Sequence, residues 1–129
     1  MSAIAATVQA LLADSGIGSI VAARVWPVIA PQVAELPNVI VYMVSEDDEM
    51  LLRGTAGFPE ARVSVECRAA TFTAANALGE AVKTALLPLH RAAFAGVLVS
   101  FAKASTDLTD FADDTRTHRR ILDFYARWQ

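Results

Sequence analysis

Apolar positions along the chain switch between two periods. In residues 2–13, Ile4, Val8, Leu11 and Leu12 recur at i, i+4, i+7 and i+8, which predicts an amphipathic helix. Ser2 suits its N-cap. Asp14-Ser15-Gly16 is expected to stop it, with Gly16 left-handed just past the last turn. Ile17, Ile20 and Val21 predict one more helical turn packed on the first. Arg24-Val25-Trp26-Pro27 reads as a short extended piece. Pro27, Pro31 and Pro37 then hold off regular structure until Asn38, because each removes a donor and restricts its predecessor. Residues 39–44 are all apolar or aromatic and rich in β-branching, which predicts a buried strand.

A loop over residues 45–60 follows, carrying Gly54, Gly57 and Pro59. Residues 61–68 alternate, with Val63, Val65 and Cys67 on one face and Arg62, Ser64, Glu66 and Arg68 on the other. Leu78, Val82, Ala85, Leu86 and Leu89 mark a second helix, capped by Thr71 or Thr73 and limited by Pro88. Val97, Val99 and Phe101 predict a strand after Gly96. Residues 105–115 read as a polar loop, and residues 119–128 as the last strand. The expected architecture is one domain over residues 1–129, of class α+β. It is a two-layer sandwich, a mainly antiparallel sheet of four to five strands with two helices on one face.

Composition narrows the function. A net charge of −3 disfavours binding that rests on neutralising nucleic-acid phosphates. One cysteine rules out an internal disulfide framework. No charged-then-apolar leader is read at the N-terminus and no apolar run reaches membrane-spanning length, so a soluble intracellular protein is expected. The hydrophobic share of 54 % is high for a small domain, consistent with apolar surface buried between subunits or with a general alanine bias.

Candidate chemistry is sparse. Glu46-Asp47-Asp48-Glu49 lacks the alternating oxygen ligands and following glycine of a calcium loop, and neighbouring residues of an extended chain point apart. Asp107, Asp110, Asp113 and Asp114 have turn-forming rather than paired-carboxylate spacing. Cys67 lies on the apolar face of its strand, away from the electropositive, exposed setting a nucleophilic thiol needs. His90 and His118 lack the further ligands of a zinc site. No phosphate loop, dinucleotide fingerprint or nucleophile elbow occurs. No catalytic, cofactor or metal residue is therefore expected. Arg116, Arg119 and Arg120, with His118, open the last strand. They pair either with the acidic loop just before them or, across a subunit boundary, with Glu46 to Glu49.

The ordered pattern resembles the tail completion, or tail terminator, proteins of long-tailed bacteriophages and gene transfer agents. Carrying it are Arg24-Val25-Trp26-Pro27 with Pro31 and Leu36-Pro37, the strand ending Tyr42-x-Val44-Ser45, Gly57-Phe58 and Arg62-Val63-Ser64-Val65. Ala70-Thr71 leading into the second helix and Asp123-Phe124 in the last strand complete it. The resemblance implies a hexameric ring at the head-proximal end of a tail tube, ending tube growth and joining tail to head. It implies no enzymatic activity. Its partners would be further copies of the chain, the tube protein and a head-tail connector or stopper, with DNA able to pass through the ring but no membrane. Assembly would occur in the bacterial cytoplasm, and the product would sit in the neck of the particle. The alternative is another connector or neck subunit. The expected contact residues are Glu46, Asp47, Asp48, Glu49, Arg53, Arg116, Arg119 and Arg120.

Overall fold

The computed structural model describes residues 2–31, 34–47 and 60–128. Helix α1 (Ser2–Ala13) is followed by α2 (Ser15–Val21) after a bend of 84°. Strands β1 (Val25–Pro27), β2 (Asn38–Asp47) and β3 (Glu60–Ala69) come next, then α3 (Phe72–Leu86), β4 (Ala92–Phe94), β5 (Val97–Ala112) and β6 (Thr117–Trp128). The six strands form a single curled, open sheet in the order β1-β2-β3-β6-β5-β4, parallel only between β1 and β2. The α+β class holds. Six strands replace the expected four to five, and three helices replace two.

The extra elements have local causes. Asp14 does not merely end α1; its side chain accepts a 3.0 Å bond from the Ile17 amide and caps α2. Gly16 therefore lies inside α2 rather than in a left-handed cap. Strand β4 is only three residues long and is returned to β5 by Ala95-Gly96, both at positive φ, as a two-residue hairpin requires. The Gln9 side chain of α1 accepts from the Ala95 amide at 2.9 Å and ties this turn to the core. Strand β5 runs through most of the expected loop to Ala112, with a register break between Lys103 and Asp107.

Helix α1 meets all six strands, and α3 lies over β3, β5 and β6. Cross-strand partners share a face. Val41, Val65 and Leu122 are in register, as are Val63 and Phe124, and all are fully buried in the cluster that includes Leu78, Val82 and Leu86 of α3. The face α1 buries overlaps the expected aliphatic stripe only in part: Leu11 is in the core and Ile4 and Val8 pack at its border. Ala3, Ala6, Thr7 and Ala10 are buried with Leu11, whereas Leu12 is 44 % exposed. Small side chains let this helix lie close to the strands, and Thr7 satisfies its hydroxyl on the Ala3 carbonyl at 2.7 Å.

Candidate interaction surface

Arg120 in β6 projects beneath α3 with only 7 % of its side chain exposed. Its Nε and Nη2 donate to the Asp107 carboxylate at 3.1 and 3.0 Å, and Nη1 donates to Glu80 at 2.6 Å and to the Asn76 carbonyl at 3.0 Å. Every guanidinium nitrogen thus has a partner, which a cation this buried requires. The hydrogen bond from Arg120 holds both the Asp107 and Glu80 carboxyls below their usual range. Asp107, in return, raises the Arg120 pKa. Cys67 sits opposite Arg120 on β3. Burial pushes its thiol up to about 12, against the opposing charge of Arg120, so it stays protonated at neutral pH.

The other sheet face carries a second set of ion pairs. Arg119 forks onto Asp110, with Nε to Oδ1 at 2.7 Å, and reaches Glu66 at 3.4 Å. The bond from Arg119 lowers the Asp110 pKa. Arg62 donates to Asp123 at 2.8 Å and to the Thr106 hydroxyl at 2.6 Å, beside the register break of β5. At the β5–β6 turn, the Phe111 and His118 rings lie 4.8 Å apart and the Arg116 guanidinium lies 5.8 Å from the Phe111 ring.

Of the expected contact residues, Arg119 and Arg120 are engaged within their own chain, with the acids of the predicted loop. Arg116 is at the turn. Glu46 and Asp47 end β2, while Asp48, Glu49 and Arg53 lie outside the described residues. The Arg62–Asp123 and Arg119–Glu66 pairs were not anticipated. Their signal was available in the opposite charges on the polar faces of two alternating strands.

A concavity of about 520 Å³ opens on this outer face. Leu98, Ala102 and Tyr125 line it with Arg91, Arg127 and Glu60. Arg127 pairs with Glu60 across the strands. Arg91 arrives from the segment after α3 in a left-handed conformation (φ 51°), its amide donating to the Ser100 hydroxyl at 2.9 Å. Nothing in the local pattern of residues 87–91 announces this approach; it depends on how α3 meets β5.

Both sheet edges are only partly covered among the described residues. Strand β1 pairs with Val39 to Val41 of β2, and β4 with Val97 to Val99 of β5, leaving the longer strands to run on. Beside the first edge, Val28 and Ile29 are 63 % and 77 % exposed; on the second, Leu108 and Phe111 are exposed. Unpaired strand edges with apolar neighbours are templates for association.

Among the described residues, fold and surface together define a small α+β protein built on one open sheet, whose charged groups order strands and whose edges are only partly covered. The chain belongs to the tail completion protein gp17 family, whose model matches residues 5–129. The family resemblance drawn from the motifs is thereby borne out. A chain from a structure described as the virion of a native gene transfer agent particle has the same fold. Its TM-score is 0.69 at 21 % identity, over 98 % of this chain and 93 % of that one. No curated protein sequence matches.

Proposed function

We propose that the protein is a structural component of a phage-type tail that forms a hexameric ring at the head-proximal end of the tube. The ring ends tube polymerisation and presents a surface to the head's connector or stopper. The family match across residues 5–129 carries this reading. The fold shared with a chain of a gene transfer agent virion supports it. The partly open edges of β2 and β5 and the exposed apolar side chains beside them support association with further copies.

In this reading the protein works through contacts rather than catalysis, and needs no cofactor. Its contact residues include Glu46 to Glu49, Arg53 and Arg116. Arg119 and Arg120 contribute by fixing the β5–β6 hairpin. Deleting the gene should leave tails of abnormal length, or heads and tails that fail to join. Tails of normal length with defective heads would instead favour the connector reading.

A further inference from the structure

Val28 and Ile29 are the most exposed large apolar side chains among the described residues. They are fixed in place at the end of β1. The Val28 amide donates to the Val41 carbonyl at 2.8 Å and the Ile29 amide to the Pro27 carbonyl at 2.7 Å, with Pro27 and Pro31 on either side. Val28 holds a left-handed φ of 67°, a state that costs a β-branched residue. A rigid aliphatic knob left in water can be covered by a partner with little further loss of conformational freedom. The concavity lies toward the other end of the same sheet, on β5 and β6. Leu98, Ala102 and the Tyr125 ring give it an apolar floor, and its 520 Å³ is room for aliphatic side chains of a partner.

Each feature is accompanied by an ion pair, and the two pairs are exposed in opposite senses. Beside β1, Glu35 is 78 % exposed and its partner Arg24 only 24 %. At the concavity, Arg127 is 64 % exposed and its partner Glu60 only 28 %. The first edge thus turns an anion outward and the rim of the concavity turns a cation outward, which makes the two surfaces complementary. We propose that Val28 and Ile29 of one copy seat on the Leu98, Ala102 and Tyr125 floor of the next, with Glu35 of the first copy facing Arg127 of the second. Knob and floor belong to opposite ends of one sheet, so the contact is heterologous and repeats head to tail, as a closed ring requires. This rests on the oligomer reading above and supplies its contact.

The test is disulfide trapping in the full-length protein with Ile29→Cys and Ala102→Cys, both at exposed positions. The native Cys67 is fully buried and stays out of the reaction. Under mild oxidation, a concentrated mixture of the two single variants should give the mixed dimer, and neither variant alone should cross-link comparably. Tails assembled with the double variant should give a ladder of linked chains that ends at the ring size. Ile29→Ser should raise the concentration at which copies associate, free or on tube ends, by about tenfold or more, the effect of leaving one aliphatic side chain in water. Ala102→Trp, which fills the concavity, should block association. Circular dichroism should show both of these variants folded. No mixed cross-link in either sample overturns the proposal, as does a dominant Ile29→Cys self-dimer or normal association by both Ile29→Ser and Ala102→Trp. If rings form on tails without the cross-link, this contact is wrong and the ring stands. If the mixed dimer forms but tails carry no ring, the ring reading fails and the contact belongs to another assembly. If Ala102→Trp blocks assembly while no cross-link forms, the concavity takes a different partner and the proposed occupant is rejected.

Discussion

A Cβ added to Gly79 would lie 2.4 Å from the Arg120 Cδ, closer than real Cβ contacts come, and a tight 3.0 Å from its Nε. The glycine in the middle of α3 is therefore the space through which a strand arginine reaches the helix. Gly79→Ala gains about 1 kcal/mol of helix propensity but displaces a buried, fully bonded cation. The net expectation is destabilisation by about 2 kcal/mol in chemical denaturation. In an Arg120→Met background the obstacle is a flexible thioether with no bonds to lose, so the same substitution should be near neutral or stabilising. That change of sign separates the proposed clash from a general intolerance of α3.

Removing one partner of Arg120 should cost more than removing both. Asp107→Asn leaves a buried guanidinium short of its bidentate anion and is expected to destabilise by roughly 3 kcal/mol. Stability should also depend on acid pH. Asp107, Glu80 and Asp110 all titrate lower in the folded chain than when unfolded. Their contribution is present above the unfolded carboxylate range near about 4 and is lost as pH falls through the lower folded values. Asp107→Asn should flatten the fall in stability below about pH 4, measured by urea denaturation across pH.

Cys67 gives a direct chemical readout. The thiol is fully buried and pushed up to about 12. It should resist alkylation at neutral pH in the folded protein and react only on unfolding. Cys67→Ser, which buries a hydroxyl in its place, should lower stability by about 1–3 kcal/mol without altering tail assembly where the protein still folds.

The α1 surfaces make opposite predictions. Ala6→Leu inserts volume where the helix lies against the sheet and should destabilise by about 1–3 kcal/mol or more. Leu12→Ser, on the exposed side, should fall within about 0.5 kcal/mol of wild type.

This contrast shows where the sequence was legible. The apolar face of strand β3 could be read from Val63, Val65 and Cys67, which alternate with polar neighbours, although Ser64 on the expected wet face is buried as well. Helix α1 was placed correctly, with Leu11 buried and Ile4 and Val8 packed against the core, but its buried face is centred on Ala3, Ala6, Thr7 and Ala10 and leaves Leu12 out. Leucine and isoleucine dominate a hydrophobicity reading, while close approach to a sheet selects alanine. The end of β5 was missed because Thr and Asp read as turn formers in isolation; here Arg119, Arg120 and Arg62 supply the partners that hold residues 106–110 extended. For the candidate site, the charges were visible and their pairing was half visible. The Arg91 rim was not, since it arises only from where α3 delivers the chain.

Val28 is a further point of local cost. It is β-branched at φ 67°, its amide bonded to the Val41 carbonyl at 2.8 Å, and the next amide turns back to Pro27 at 2.7 Å. Val28→Asn, a residue that tolerates this region, should stabilise the isolated protein by up to about 1 kcal/mol, read as a rise in denaturation midpoint. If the exposed valine serves an interface, the same variant should assemble less well despite its greater stability.

The ring at the tube end is the central claim, and electron microscopy of purified tails tests it most directly. Tails from a strain producing the protein with a small C-terminal label should show a hexameric ring of label at one end of each tube, the end that joins the head. Label spread along the tube, or confined to heads with bare tube ends, would contradict the account.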